Sequence, residues 1–270
     1  MEETDQDRVL HLADGRRLGY LDLGDPHGMP LVSCHGGLSS RLDVLPAAEA
    51  AQAIGVRLIA PDRPGIGSSD RQPGRTLLDW PADVTQLTER LGIERFAVMG
   101  WSLGGPYAMA CAWALGERVR ALGVVAGAVP GTWPGMIDEV NRLDRVLLRL
   151  SADHPYLERS IFHLLHATAD RAPRVLAKQS GLSGPTAHDV TAAIAEGLTD
   201  ADGVLDEYRV FDGPWGFEPE AISTPSHFWQ GTADNMVPEE WGRRLAGAVP
   251  GARLHLVEGG THFLWYEHWT

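Results

Sequence analysis

The chain has 270 residues, of which 44% are hydrophobic, and this is enough to bury the core of one large domain. The 36 acidic side chains outnumber the 23 basic ones, giving a formal net charge of -13 at pH 7, and Lys178 is the sole lysine. Because phosphate binding needs clustered Lys and Arg, this balance argues against nucleic acid or an anionic membrane as a partner.

The acidic N-terminus lacks the apolar stretch of a secretory signal, and no run of about 18 apolar residues occurs elsewhere. We therefore expect a cytoplasmic protein, a monomer or homodimer, whose partner is a small-molecule substrate. Cys34 and Cys111 are flanked by apolar residues, which favours buried thiols over a disulfide or a metal pair. The 11 histidines have no H-E-x-x-H spacing, so we expect no metal and no cofactor.

Short apolar runs alternate with helical stretches along most of the chain. A hairpin with strands at 9–12 and 17–23 is predicted around the Asp14-Gly15 turn. Further strands are predicted at 31–34, 56–60, 96–99, 121–126, 226–229 and 253–257. Helices are predicted at 42–54, 77–91, 103–115 and 239–248. This alternation favours an α/β fold with a mostly parallel central sheet and helices on both faces.

Residues 131–212 differ from the rest because they contain no convincing strand. They are predicted to form several short helices, broken at Pro155, at Pro173 and in the turn 181–185. The segment is too apolar for a disordered linker and too long for a simple connection. We therefore divide the chain into a core, 1–130 and 213–270, and a helical cap, 131–212.

Residues 100–104 read G-W-S-L-G, the G-x-S-x-G form that places a serine on a tight turn between a strand and a helix. The required context is present, because a predicted strand enters the motif and a predicted helix leaves it. The turn would expose the hydroxyl of Ser102 beside a helix N-terminus, which favours negative charge. Ser102 is therefore the candidate nucleophile.

Residues 35–37 read H-G-G and follow the predicted strand 31–34. Residues without side chains let a backbone N–H approach a substrate oxygen. We expect the N–H groups of Gly37 and Leu103 to form an oxyanion hole, with Gly36 also next to the substrate. His35 is expected to brace the loop rather than to transfer protons.

Four segments together resemble the α/β-hydrolase superfamily, in its capped branch of esterases, C–C bond hydrolases and cofactor-free haloperoxidases. They are 35–37 (H-G-G), 62–69 (D-R-P-G-I-G-S-S), 100–105 (G-W-S-L-G-G) and 231–238 (G-T-A-D-N-M-V-P). The resemblance implies that Asp234 is the acid and His262 the base of a Ser-Asp-His triad. Relatives usually continue into a full C-terminal helix, whereas only 263–270 follow the histidine here, so a shortened last helix is expected.

The order of nucleophile, acid and base in this fold leads to the same pair from the residues themselves. Asp234 lies in a polar turn after an apolar strand, although it could instead cap the helix that follows Pro238. His262 has two rivals, His255 and His268, but neither lies on a loop at a strand end.

Side chains around the pocket are harder to assign. Trp101, Trp133 and Trp215 are candidate pocket walls, and core packing is an equally good interpretation of Trp101. Arg63 could contact an anionic substrate, although a surface arginine is usually solvated.

These residues predict a serine hydrolase that cleaves a small ester-like substrate through an acyl-enzyme on Ser102. Activity should then fall as the pH drops from roughly 8 to 5, because a protonated His262 cannot accept the serine proton. Serine at this position disfavours dehalogenases and epoxide hydrolases, relatives that need a carboxylate there. C–C bond or lactone hydrolysis and perhydrolysis on the same triad remain open, as do a ligand-binding receptor with little turnover and a catalytically idle scaffold.

Overall fold

The computed structural model describes residues 7–139 and 184–267, together with the single positions 145, 160, 161, 163 and 164. Each predicted strand is present, with small shifts at the ends. The strands are β1 (Asp7–His11), β2 (Arg17–Gly24), β3 (Met29–Cys34), β4 (Val56–Pro61), β5 (Phe96–Trp101), β6 (Val119–Val125), β7 (Ser226–Gly231) and β8 (Arg253–Val257).

The strands form one sheet in the order β1-β2-β4-β3-β5-β6-β7-β8. β1 pairs antiparallel with β2, and β2 pairs antiparallel with β4, whereas all pairs from β4 to β8 are parallel. The chain proceeds from β3 towards one edge and from β5 towards the other, so the strand order reverses between these two neighbours. Open α/β sheets bind ligands at the carboxyl ends of the strands beside such a reversal.

The α-helices of the described residues are α1 (Ala48–Ala53), α2 (Trp80–Arg90), α3 (Gly104–Leu115), α4 (Met136–Glu139), α5 (Gly184–Gly197), α6 (Ala201–Asp212), α7 (Glu239–Ala248) and α8 (Leu264–Glu267). The single helix predicted at 42–54 is instead a 3-10 stretch, Arg41–Ala47, followed by the short α1. Pro46 lies inside the 3-10 stretch, and its missing N–H is incompatible with a continuous α-helix there.

The core is centred on α3, which packs against β3, β5 and β6. Its first nine residues are all buried, and most of them are small. A Cβ on Gly105 would lie 3.0 Å from Val124 Cγ1, so the helix can approach β6 closely because this side chain is absent. This close packing holds the start of α3, and with it the turn of Ser102, against the middle of the sheet.

The segment between β6 and β7 contains α4, α5 and α6, and no strand occurs in its described part. α5 packs against the 3-10 stretch Arg41–Ala47. α6 contributes Tyr208 and Phe211 to a cavity that Ser102 also lines. The helix breaks predicted at Pro155 and Pro173 lie outside the described residues. Within the described ranges, no helix combines the length and the apolar character needed to cross a bilayer.

Candidate active site

Ser102 lies on the turn between β5 and α3. Its φ of 54° is in the left-handed region, which is uncommon for a residue with a side chain. The turn is held by a hydrogen bond of 2.8 Å from the Ser102 N–H to the Val125 carbonyl. The glycines on either side of Ser102 lie so close to other backbone atoms that a side chain would not fit. A Cβ on Gly100 would lie 2.2 Å from the Gly104 carbonyl oxygen, and a Cβ on Gly104 would lie 2.0 Å from the Cys34 carbonyl oxygen.

His262 and Asp234 lie next to Ser102 although they are distant in sequence. Asp234 follows β7 and His262 follows β8, so both come from the carboxyl edge of the sheet. His262 Nε2 lies 3.0 Å from Ser102 Oγ, and His262 Nδ1 lies 2.9 Å from Asp234 Oδ2. The side chain of His262 is 3% exposed and that of Asp234 is fully buried, so water does not compete for their hydrogen bond. The structure thus joins the three predicted triad side chains in one chain of hydrogen bonds.

Asp234 also organises the turn in which it lies. Its Oδ1 accepts hydrogen bonds from the N–H groups of Met236, at 2.8 Å, and Val237, at 2.9 Å. Its Oδ2, which faces His262, also accepts a hydrogen bond of 3.3 Å from the amide of Gln230. An ionised carboxylate only accepts, so a neutral His262 paired with one would carry its proton on Nδ1 and leave Nε2 to accept from Ser102.

The two predicted oxyanion donors, Gly37 and Leu103, line the same cavity as Ser102. Leu103 is the N-cap of α3, and Gly37 follows β3 on the loop that begins at His35. Among the hydrogen bonds of the described residues, none is donated by the backbone N–H of Gly37 or Leu103. Both residues thus line the cavity with Ser102 and have backbone N–H groups without an acceptor in the described part of the chain.

The cavity over Ser102 has a volume of about 110 Å³ and a mostly apolar wall. Tyr208 and Phe211 contribute to it from α6, three residues apart on one face of the helix. The remaining described lining outside Ser102, His262 and the two oxyanion candidates consists of Leu38, Ala128, Met236, Val237 and Trp241. Among these described residues, no side chain carries a full charge except when His262 is protonated.

The other predicted substrate contacts are not in the described lining. Trp101 packs behind His262, with its Nε1 donating a hydrogen bond of 2.9 Å to the His262 carbonyl. Gly36 lies against Trp101, where a Cβ would come within 2.4 Å of the ring. Trp133 stacks under the Arg244 guanidinium at 4.5 Å, and Trp215 stacks on Phe217. The rings of Trp101, Trp133 and Trp215 thus pack against other parts of the protein, and none of them is in the described lining of the cavity.

The comparison with known proteins agrees with this arrangement of strands and loops. A sequence model described as alpha/beta hydrolase fold matches residues 29–268. The chain belongs to the α/β-hydrolase family.

Several proteins of the α/β-hydrolase family are similar to this chain. It is 31% identical to haloalkane dehalogenase 2 of Mycobacterium bovis and Mycobacterium tuberculosis over 164 residues, 58% of this chain and 54% of theirs. The chain thus spans about half the length of these curated relatives. A hydrolase of Pseudomonas putida, named for 2-hydroxy-6-oxononadienedioate and 2-hydroxy-6-oxononatrienedioate, is 24% identical over 99% of this chain and 94% of its own. The solved esterase RhEst1 of Rhodococcus sp. ECU1013 has a TM-score of 0.69 at 22% identity, over 95% of this chain and 92% of its own.

In this α/β hydrolase, Arg63 is not in the described lining of the cavity, and it is not the solvated surface arginine that the sequence favours either. Arg63 is fully buried, and its guanidinium forms hydrogen bonds of 2.6–3.0 Å with Glu207 of α6. Burial alone raises the pKa of Glu207, but the charges of Arg63 and Arg75 outweigh it and hold this pKa far below its usual value. The charge of Arg63 is thus neutralised inside the protein, because an unpaired buried cation would be very unfavourable.

His35 braces the loop before Gly37, as expected. Its Nε2 accepts a hydrogen bond of 3.1 Å from the Arg63 N–H, which leaves Nδ1 protonated and 3.0 Å from the Gly36 carbonyl. Burial, and then the charge of Arg63, hold the pKa of His35 well below its usual value. A neutral imidazole that makes both of these hydrogen bonds has no free nitrogen with which to move a proton.

Three residues that contact the loops of the site could not be predicted from the sequence, because no motif or spacing marks them. Gln230, at the end of β7, orients Asp234, and Asp43, on the 3-10 stretch, accepts the Gly36 N–H at 3.1 Å. Glu207 is one of many acidic residues in the 131–212 segment. Among the described residues, no three His, Cys, Asp or Glu side chains come together where they could hold a metal ion.

Proposed function

We propose that this α/β hydrolase is a serine esterase that acts on small esters with an uncharged acyl group. The observation that carries the proposal is the hydrogen-bonded series Ser102–His262–Asp234 beside two unpaired backbone N–H groups in the described structure. Nucleophile, base, orienting acid and oxyanion donors are the parts that acyl transfer through a serine requires.

The first half of the reaction forms an acyl-enzyme. His262 Nε2 accepts the hydroxyl proton as Ser102 Oγ bonds to the ester carbonyl carbon, and the carbonyl oxygen becomes an oxyanion. The N–H groups of Gly37 and Leu103 donate to this oxyanion, and the N-terminus of α3 adds favourable dipole charge. The tetrahedral intermediate then expels the alcohol, which takes the proton from His262.

The second half releases the acid. A water molecule gives a proton to His262 and attacks the acyl carbon, and the same two N–H groups stabilise the second oxyanion. Collapse of this intermediate breaks the bond to Ser102 Oγ, which recovers its proton from His262. Asp234 remains ionised throughout, since its role is to hold the Nδ1 proton and to stabilise the transient imidazolium.

The lining of the cavity favours a neutral acyl group. The relative from Pseudomonas putida is named for dioates, which carry two carboxylates. In the described lining of this cavity there is no Arg or Lys to pair with a carboxylate. The serine at position 102 likewise argues against a dehalogenase reaction, because an aspartate is the nucleophile of the dehalogenases in this superfamily.

The experiment is a panel of p-nitrophenyl esters from acetate to decanoate, tested with wild-type protein and with Ser102→Ala. We expect hydrolysis with a preference for short chains, and its loss in the variant. A matched p-nitrophenyl ester with a terminal carboxylate on its acyl chain should be cleaved more slowly than its neutral analogue. Equal rates for Ser102→Ala and wild type would contradict the proposal, and a preference for the carboxylate ester would contradict the neutral acyl group.

A further inference from the structure

The loop that carries Gly37 is held by hydrogen bonds on both sides of Gly36. The carbonyl oxygens of His35 and Gly36 both accept from the Arg63 guanidinium, the second at 2.9 Å. The N–H of Gly36 donates to Asp43 Oδ2. The two consecutive peptide groups at this point therefore have fixed orientations, set by one buried cation and one buried carboxyl group.

These contacts determine where the Gly37 N–H points. A trans peptide places its C=O and its N–H on opposite sides. Because the Gly36 carbonyl points towards Arg63 and the protonated Nδ1 of His35, the N–H of the same peptide, which belongs to Gly37, points away from them. Gly37 lines the cavity over Ser102, and the proposed reaction requires its N–H to meet the oxyanion there.

Arg63 is in turn held by the segment between β6 and β7. Glu207 of α6 accepts from Arg63 at two nitrogens and also from Arg75 and from the Tyr107 hydroxyl, the last at 3.0 Å. The Arg63 guanidinium lies 4.6 Å from the centre of the Tyr107 ring, on α3. Without Glu207, two buried arginines would face each other with no carboxylate between them.

We propose that Glu207 is a positioning residue for the oxyanion-binding N–H of Gly37, acting through Arg63, so that correct seating of α6 is required for full catalysis. The inference rests on the proposed function, since it assigns the Gly37 N–H to the transition state. Asp43 fixes the preceding peptide from the other side. The segment that covers the cavity thus also aligns the catalytic loop beneath it.

The direct test is the kinetics of Glu207→Gln on the best p-nitrophenyl ester. We expect kcat to fall about ten- to a hundredfold, less than the 10²–10³ seen when an oxyanion donor is deleted, with KM within about twofold of wild type. Affinity for a trifluoromethyl ketone, whose serine adduct carries an oxyanion, should fall by the same factor as kcat. Prolonged treatment with a fluorophosphonate should still label Ser102 completely, because the nucleophile is intact.

Asp206→Asn is the matched control. Asp206 is the neighbouring residue on α6, is also buried, and pairs with Arg71, which does not touch the Gly36 loop. We expect this variant to keep kcat and inhibitor affinity within about twofold of wild type. Because Glu207→Gln leaves two buried cations unpaired, Glu207→Asp serves as a second variant that retains the charge. Its shorter side chain cannot reach Arg63, Arg75 and Tyr107 together, so a fall in kcat is expected with a circular dichroism spectrum like that of wild type.

Two substitutions of Asp43 test the position of the Gly36 loop independently of Glu207. Asp43→Ala removes the acceptor for the Gly36 N–H and should lower kcat about tenfold at similar KM. Asp43→Asn retains an oxygen acceptor and should restore kcat to within about threefold of wild type. If Asn and Ala have equal effects, the hydrogen bond to Gly36 does not position the loop.

The outcomes separate this inference from the proposed function. Wild-type protein that neither labels with the fluorophosphonate nor cleaves esters would overturn both. Wild-type protein that does both, while folded Glu207 variants match Asp206→Asn in kcat and inhibitor affinity, would overturn the positioning role alone. A rise in KM with unchanged kcat would also overturn it, because that pattern reports substrate binding and not the transition state.

Discussion

His262 Nε2 lies 3.0 Å from Ser102 Oγ, although 160 residues separate the two along the chain. The contact arises because β5 and β8 are parallel and both end at the same edge of the sheet. Trp101 and His262 are further linked by the hydrogen bond from the indole N–H to the histidine carbonyl. The loop that carries His262 is therefore hydrogen-bonded directly to the residue beside Ser102.

Asp234→Asn tests whether this aspartate serves catalysis in addition to its turn. Asn can still accept from the N–H groups of Met236 and Val237, but its amide disfavours the tautomer that leaves Nε2 free. We expect kcat to fall by about 10³–10⁴ with little change in stability. Asp200→Asn is the control, since Asp200 accepts from the N–H groups two and three residues later in the same way, at the start of α6. If Asp234→Asn and Asp200→Asn have equal activity, Asp234 only stabilises its turn and has no role in catalysis.

Gly104→Ala tests the close packing at the nucleophile turn. The new Cβ would lie 2.0 Å from the Cys34 carbonyl and 2.6 Å from that of His35, which are backbone atoms that cannot move aside. We expect a loss of more than about 3 kcal/mol in the free energy of unfolding, measured by urea denaturation. Gly247→Ala, in α7, meets no atom within 4 Å and should be neutral or stabilising by about 0.5 kcal/mol. A stable Gly104→Ala variant would contradict the packing described here.

Most of the fold, and the meeting of Ser102, Asp234 and His262 at one edge of the sheet, could be predicted from the sequence because they depend on local patterns. A strand followed by G-x-S-x-G and a helix has one compatible geometry, and the order of strands and helices places Ser102, Asp234 and His262 at one edge. The prediction of one helix at 42–54 is wrong because the apolar spacing continues across Pro46, where the backbone forms a 3-10 stretch. The local hydrophobic period does not report such a break.

The surroundings of the triad could not be predicted, for a different physical reason. Arg63 looks like a solvated surface arginine until α6 brings Glu207 to it across 144 residues. Trp215 marks the end of the 131–212 segment in sequence, yet its ring stacks on Phe217, away from the described lining of the cavity. Contacts between residues so far apart in sequence depend on how the 131–212 segment packs on the sheet. The hydrophobic periodicity of the sequence carries no information about that packing.

Phe211→Ala tests whether α6 limits the length of the acyl chain. Removing the ring enlarges the cavity on the side of α6, so the chain-length optimum for p-nitrophenyl esters should move to longer acyl groups. Phe217→Ala is the control, because Phe217 stacks between Trp113 and Trp215 and is not in the described lining. It should lose stability by about 3–5 kcal/mol without a change in the optimum. If the chain-length optimum of Phe211→Ala equals that of wild type, Phe211 does not limit the length of the acyl group.

Asp43 should make the protein less stable as the pH rises towards neutrality. Burial raises the pKa of Asp43 to about 7, with smaller effects from the Gly36 N–H, Arg63 and Asp62. Between the ordinary aspartate pKa of about 3.9 and this value, the unfolded chain has lost the proton and the folded protein has kept it. Unfolding releases that proton, so this contribution to the free energy of unfolding falls as the pH increases.

The measurement is urea denaturation of wild type and Asp43→Asn at pH 5 and pH 8. Between pH 5 and pH 8, the free energy of unfolding of wild type should fall by roughly 1–3 kcal/mol relative to that of Asp43→Asn. A constant difference would mean that Asp43 is ionised in the folded protein throughout this range. Tyr266, which also interacts electrostatically with Asp43, is buried and stays protonated at both pH values.

The most direct test of the central claim is peptide mass spectrometry after treatment with a fluorophosphonate. An activated serine forms a covalent phosphonyl adduct, whereas an ordinary hydroxyl does not react. We predict one adduct, on Ser102, in the wild type, and none in Ser102→Ala or His262→Ala under the same conditions. A folded wild-type protein that stays unlabelled, or that carries its adduct on another residue, would contradict the account.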